Sequence, residues 1–391
     1  MDVSRLLTDR VRSIDASGIR RVFDLGAKLK NPINLSIGQP DFPVPDRIKR
    51  AAIDAIAQNR NGYTPTQGIA PLRERIVAHL ADDVGWRCEG DGPGLLVTSG
   101  TSGALLLCFM ALLDPGDEAI IADPYFVMYP HVVRMCGGTP VLCDTYPDFV
   151  LTAERVEPLL KPRTKLVLLN SPSNPSGTVA TVGQCRDLLD LCRRKNVLLI
   201  SDEIYDEFTY SESRTDRSSA GQPRCPSPAR VAGAEDDMLL IRGFGKTYAT
   251  TGWRMGYAAG PRVLIDEMAK LQQYTFVCPP SMAQWGSVAA LDEDMSAEVA
   301  SFQERRDMVV RKLSSVTEVT RPGGAFYAFV QVPPHFSRTA SEFVERALEL
   351  NVLIIPGSVF SSRDTHFRLS FATDMATLEQ GLDVLALLMQ S

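Results

Sequence analysis

One lysine stands apart in this chain. Lys246 lies in Ile241-Arg242-Gly243-Phe244-Gly245-Lys246-Thr247-Tyr248, and Arg254 follows eight positions later. Lysines ordinarily sit on charged, solvated faces. This one comes after an apolar run, Met238 to Ile241, and a Gly-x-Gly turn, which places a partly desolvated amine at a strand end. Desolvation and a nearby cation both lower an amine pKa, and a neutral amine can attack a carbonyl to form a Schiff base. Read alone, the segment is equally a surface lysine in a glycine-rich loop.

The rest of the chain narrows the chemistry. It has 391 residues, 45% hydrophobic and 23% charged, with a formal net charge of −6. That is room for two domains, or one large domain with an appendage. An acidic balance without a basic patch argues against nucleic acid as a partner. No segment reaches the ~18 apolar residues of a membrane span, and the N-terminus lacks a signal-peptide apolar core. Eight cysteines show no C-x-x-C spacing; Cys108, Cys136, Cys143, Cys185 and Cys192 lie in apolar runs and read as reduced core residues of a cytoplasmic enzyme. Four scattered histidines give no zinc-ligand spacing, so no metal is expected.

The elements that must position Lys246 follow from periodicity. Strands are expected at Leu95–Thr98, Glu118–Ala122, Thr139–Cys143, Lys165–Leu169, Val197–Ile200 and Met238–Ile241. Helices are expected at Ala104–Leu113, Tyr129–Cys136, Ala153–Leu160 and Gln184–Lys195. The strands are apolar without alternation, as when helices cover both faces, which predicts an α/β fold with a mainly parallel central sheet. Arg254–Ala259 reads as a further strand, antiparallel if it joins that sheet. After about residue 285 the pattern changes to a smaller α+β unit: a helix near Ser296–Leu313, strands at Ala325–Val330, Val352–Ile355 and Phe367–Phe371, and helices at Ala340–Leu350 and the C-terminus. The domain division expected is an N-terminal arm over 1–44, a large domain over 45–285 and a small domain over 286–391. Ser211–Asp236, rich in Ser, Pro and Arg, reads as an exposed loop.

In α/β sheets ligands collect beyond the carboxyl ends of strands. Ser99-Gly100-Thr101-Ser102-Gly103 follows the first strand and can cradle a phosphate at a helix N-terminus; it is also an ordinary capped turn. Phe126 follows the second and can stack on a planar ring, or simply pack. Asn174 follows the fourth, before a proline, as a ligand-facing amide or as a turn. Asp202 and Tyr205 follow the fifth: a buried carboxylate can hold a protonated ring nitrogen, or cap the next helix. Lys246 and Arg254 follow the sixth.

This succession resembles fold-type-I pyridoxal-phosphate enzymes, specifically class I/II aminotransferases, from about Ser17 to the C-terminus. Ser17-Gly18-Ile19-Arg20, Asn34 to Phe42, Tyr63-Thr64-Pro65-Thr66-Gln67-Gly68, Asn170 to Gly177, Ser201 to Tyr205, Lys246 to Tyr257 and Phe367-Arg368-Leu369-Ser370-Phe371 carry the likeness. The resemblance implies a cofactor, pyridoxal 5'-phosphate, held as a Schiff base by Lys246, which also moves a proton between donor Cα and cofactor. It implies Asp202 on the ring nitrogen, Asn174 and Tyr205 on the 3'-oxygen, and Phe126 on the ring face. Gly100, Thr101, Ser102 and Arg254 would hold the phosphate. Tyr63 would reach the neighbouring subunit's cofactor, which requires a homodimer with shared active sites. Arg368 would clamp the substrate α-carboxylate, with Asn174 and the Gly38 backbone beside it; on an edge-like strand it also reads as a surface ion pair.

Departures from the family pattern bear on the substrate. Gly243 and Gly245 stand where relatives often have serine, so one phosphate contact is missing. Ser102 occupies a position that is lysine in some aspartate-specific relatives. With the apolar Tyr274–Pro280 stretch, this points to a neutral or aromatic donor amino acid passing its amino group to a 2-oxo acid by a ping-pong route. The alternatives are an aspartate-preferring aminotransferase, or a C–S β-lyase, decarboxylase or synthase on the same fold. A nicotinamide enzyme is excluded: no G-x-G-x-x-G follows an early strand.

Overall fold

The computed structural model of the protein describes residues 1–16, 18–26, 29–336 and 339–390. Ser17, at the start of the family-like stretch, lies outside them. A seven-stranded sheet organises the chain. In spatial order its strands are Gly94–Ser99, Met255–Gly260, Met238–Gly243, Leu198–Asp202, Thr164–Asn170, Glu118–Asp123 and Thr139–Asp144. Six point the same way; Met255–Gly260 is antiparallel to both its neighbours. Parallel neighbours need a crossover, usually a helix. Between Gly243 and Met255 there is only a short 3₁₀ turn, Thr251–Trp253, so the chain returns antiparallel.

Successive residues of the strands feed opposite cores. Leu95, Val97, Val167, Leu169, Leu199, Met238 and Leu240 pack on one face. Leu96, Leu166, Leu168, Ile200, Leu239 and Ile241 pack on the other. Two buried faces explain why the strand sequences are apolar throughout. Truncating one such side chain, Leu240 for example, costs about 2–5 kcal/mol. Helix Gly100–Leu112 begins directly at the end of the first strand, with no side-chain cap. Helix Val182–Lys195 starts in a capping box, Thr181 with Gln184, and ends at Asn196 in the left-handed region.

A second, antiparallel sheet runs Tyr327–Gln331, His366–Ser370, Ile355–Pro356. Helices Ser296–Leu313, Ala340–Glu349 and Met375–Gln390 share its core through Phe302, Val309, Phe343 and Leu382. The chain before residue 45 returns to this region: Ile33–Asn34 pairs in parallel with Val352–Leu353.

Four expectations change. Arg368 lies on the middle strand of this sheet, not an edge, between Tyr327–Gln331 and Ile355–Pro356. The Val352–Ile355 strand is two short ones serving different partners. The Ala153–Leu160 helix ends at Val156 and continues as a 3₁₀ turn at Pro158. Ser211–Asp236 is not simply an exposed loop. It contains the hairpin Asp216–Arg217/Pro223–Arg224, and Cys225, Ser227, Ala229 and Ala234 are buried. Trp86 Nε1 donates to Ala229 O at 2.9 Å, and Arg230 Nη2 donates to Asp83 at 2.7 Å. A segment without periodicity can still be buried when such contacts satisfy its backbone.

Candidate active site

The ends of the parallel strands open into one cavity of about 480 Å3. Gly38, Gly100, Thr101, Ser102, Phe126, Asn174, Asp202, Tyr205, Lys246, Arg254 and Arg368 all line it. Tyr63 does not; it is 89% exposed.

At one end, the helix Gly100–Leu112 presents its N-terminus. Gly100 has φ +69°, a left-handed conformation that favours glycine, and a Cβ there would lie 2.8 Å from Arg254 Nη2, pushing the arginine tip aside. Arg254 itself has φ +55°. Its Nη1 donates to Thr251 O at 3.1 Å and its Nη2 to Ser102 Oγ at 3.4 Å. It pairs with no carboxylate among the described residues. Free helix N–H groups, two hydroxyls and an unpaired guanidinium form an anion seat.

At the floor, Asp202 is buried and accepts from Tyr129 Oη at 2.8 Å and Ile204 N at 3.3 Å. Burial raises its pKa to about 6 against these hydrogen bonds. No cation among the described residues pairs with it, so it is suited to a protonated nitrogen. Tyr205 Oη lies 3.1 Å from Tyr327 Oη, and burial lifts its pKa well above the ordinary phenol value, leaving a neutral donor.

Across the cavity, Lys246 Nζ donates to the Gly38 carbonyl. Burial lowers its pKa to about 8, helped by Arg368 and Arg254. A neutral fraction of roughly a tenth at pH 7, far above that of an ordinary lysine, makes it a usable nucleophile and base. Arg368 is 1% exposed. Its Nη1 donates to Asn174 Oδ1 at 3.1 Å and its Nη2 to Ser36 O at 3.0 Å, while Nε has no partner. Its Cζ sits 4.4 Å from the Tyr327 ring centre and 4.6 Å from that of Phe360. Because Asn174 Oδ1 accepts from Arg368, its Nδ2 donor is left for a ligand.

The donor set therefore fits a flat molecule with an anionic group at one end, a protonated ring nitrogen over Asp202, an oxygen between Asn174 and Tyr205, and a carbonyl near Lys246. Among the described residues no cluster could hold a metal ion, and no helix is long and apolar enough to cross a membrane.

The model of the family described as aminotransferase class I and II matches residues 30–385. The chain belongs to that family. A putative aminotransferase of Bacillus subtilis, YugH, is 36% identical over 384 residues, covering 96% of each chain. The aspartate aminotransferase of Rhizobium meliloti is 38% identical over 397 residues, 96% of this chain and 94% of that one. A solved Pyrococcus structure designated protein-A1 superposes with a TM-score of 0.91 at 31% identity, covering 98% of both. The protein is thus an aminotransferase of α/β fold.

Sequence reading missed several cavity residues. Tyr129 lies in the apolar helix Met128–Met135, and nothing local says that its hydroxyl meets Asp202, 73 residues away. Tyr327 comes from the second sheet. Asn170 was legible only as part of its turn; its Nδ2 donates to Asp202 O at 3.0 Å, and its Oδ1 accepts from Asn174 N at 2.9 Å. Ile19, Ile37 and Gln39 add the arm before the first long helix.

Proposed function

We propose that this aminotransferase uses pyridoxal 5'-phosphate and moves the amino group of a neutral or aromatic L-amino acid to a 2-oxo acid by a ping-pong route. The observation that carries the reading is charge left uncompensated among the described residues of one cavity: Asp202 without a cation, Arg254 and Arg368 without anions, and Lys246 with a lowered pKa. The cofactor would be held by Gly100, Thr101, Ser102 and Arg254 at its phosphate. Asp202 would hold its ring nitrogen, Asn174 and Tyr205 its ring oxygen, and Phe126 its face. When bound, it supplies the carbonyl that accepts the amine and the electron sink for deprotonation at the donor Cα. Lys246 takes that proton and returns it. Arg368 anchors the α-carboxylate through its guanidinium, with Asn174 and the Gly38 backbone beside it, so that Cα–H faces Lys246. An anchored carboxylate also disfavours its release as carbon dioxide. Tyr129 fixes Asp202 in place.

Donor class rests on the cations present. The cavity's cations are Lys246, Arg254 and Arg368, and each has a role. Within one copy, none among the described residues remains for a side-chain carboxylate, and Ser102 offers a hydroxyl. The Rhizobium relative named for aspartate makes the test pointed. Mixing the loaded enzyme with aspartate, alanine, leucine or phenylalanine should give half-reaction rates at least about tenfold higher for the best neutral donor than for aspartate, since an unpaired desolvated carboxylate costs several kcal/mol. Aspartate as the fastest donor would refute the donor class and leave the cofactor reading standing.

The pKa of Lys246 makes a second prediction. The rate at which apoprotein takes up pyridoxal phosphate, followed as growth of the Schiff-base absorbance, should rise with pH and level off above about 8. A flat profile from about pH 6 to 10 would contradict a titrating nucleophile.

We further propose a homodimer. Tyr63, Tyr274, Phe276 and Val277 are exposed, and Tyr63 would reach the cofactor phosphate of a second copy. Eight unpaired thiols support a reducing, cytoplasmic setting.

A further inference from the structure

Asp202 and Tyr205 stand three residues apart, and so do Glu203 and Asp206, one step out of phase. The first pair lines the cavity; the second does not. Glu203 and Asp206 instead meet a single guanidinium. Arg242 Nη2 lies 2.9 Å from Glu203 Oε2, Nε lies 3.1 Å from Asp206 Oδ2, and Nη1 lies 2.7 Å from Asp83 Oδ2. Strand alternation explains the arrangement. Asp202 is in register with Ile241, so the next residues of both strands, Glu203 and Arg242, fall together on the opposite face. The backbone ties them as well: Glu203 N donates to Ile241 O at 2.9 Å.

The cluster is built for rigidity. Arg242 is 3% exposed and Glu203 2%. The second oxygen of Glu203 accepts from Ser201 Oγ at 2.9 Å and from Ser227 Oγ at 2.6 Å. Buried ion pairs with all hydrogen-bonding atoms occupied hold one geometry rather than adding much net stability. Lys246 follows Arg242 by four residues on the same strand exit. One side chain therefore contacts the reverse side of the segment that presents Asp202 and Tyr205, and belongs to the strand that presents Lys246.

We propose that Arg242 is a positioning residue of the transamination site: by holding Glu203 and Asp206 from behind, it sets the placement of Asp202 and Tyr205 relative to Lys246. The inference rests on the pyridoxal phosphate reading above and deepens it. Asp83 provides a contrast. It closes the far side of the cluster, taking Arg230 at 2.7 Å and Arg224 at 3.2 Å; it meets Arg242 directly and reaches Glu203 otherwise by the longer route through Arg230, Asp216 and Ser227.

The test compares Arg242→Met, Arg242→Lys and Asp83→Asn in the full-length holoenzyme. Arg242→Met should lower kcat by about 10–100-fold, the cost of misplacing reacting groups by about 1 Å, with donor KM changed less than about threefold. The dissociation constant of its apoprotein for pyridoxal phosphate should rise about tenfold, and Arg242→Lys should recover part of both. Asp83→Asn should lower the melting temperature while leaving kcat and cofactor affinity within about twofold. Wild-type kcat and cofactor affinity in Arg242→Met would overturn the proposal, as would equal losses in Asp83→Asn. If Arg242→Met does not fold, Glu203→Gln and Asp206→Asn carry the test. Each leaves Arg242 paired twice, and each should lower kcat and cofactor affinity several-fold; wild-type values in both would overturn it. A wild-type protein that takes up no pyridoxal phosphate would overturn the cofactor reading instead.

Discussion

Lys246→Ala is expected to lower turnover by at least about 10⁴-fold while leaving the fold intact. In the proposed mechanism the amine combines two roles: it attaches to the carbonyl, and it carries the proton to and from the donor Cα. Acid–base catalysis alone is worth about 10²–10⁴-fold, and the loss of the nucleophile adds to it. Stability should not suffer. Among the described residues the amine has one hydrogen bond, to the Gly38 carbonyl, and its pKa is lowered by burial, so the folded protein gains little from its charge. Pyridoxal phosphate should still bind through Arg254, Asp202 and the helix N-terminus, but without the Schiff-base absorbance. Purified Lys246→Ala, titrated with the cofactor and assayed with the best donor, checks both parts. Turnover within about tenfold of wild type would remove Lys246 from the mechanism.

Arg368→Leu is the second large effect expected, and it separates function from stability. The guanidinium is buried against Tyr327 and Phe360, hydrogen-bonded to neutral acceptors, and faces no carboxylate among the described residues. Burial lowers its pKa. Such a cation awaits an anion from outside the chain. Removing it should lower kcat/KM for L-amino acids by about 10²–10⁴-fold, the equivalent of about 3–5 kcal/mol for breaking a buried charge pair. Amines lacking a carboxylate should change by less than about threefold. The melting temperature should hold or rise, because an uncompensated buried charge has been replaced by an apolar side chain. Equal losses with amino acids and with simple amines would refute the clamp, and a fall of more than about 5 °C would show that the arginine serves the fold.

Much of the site was legible along the chain because strand-end chemistry is local. Each strand of the parallel sheet is a short apolar run, and the residues directly after it project toward the same edge. Gly100, Phe126, Asn174, Asp202 and Lys246 could each be found by looking one step past such a run. Single residues there remained ambiguous, since Asp202 in isolation reads as a helix cap. Their common position after successive strands removed the ambiguity. Arg368 was legible as an arginine on a strand but not as a central, buried one: its neighbours, Tyr327–Gln331 and Ile355–Pro356, are joined to it only by sheet pairing.

What stayed hidden depends on which strands become neighbours. Tyr129 reaches Asp202 from a helix 73 residues away. The three carboxylates around Arg242 come from a helix end and the loop after a different strand. The buried part of the Ser211–Asp236 excursion, around Cys225–Ala229, is covered by partners outside itself such as Trp86 and Asp83. Hydrophobic period and capping are written in windows of a few residues, so the sequence alone determined the element types, the α/β class and the residues offered at each strand end, Lys246 among them. The pairing order of seven strands is set by the packing of the whole chain. Only that order decided which cation lost its counter-ion, which carboxylate gained a tyrosine, and that Lys246 has Arg242 holding the site together four residues behind it.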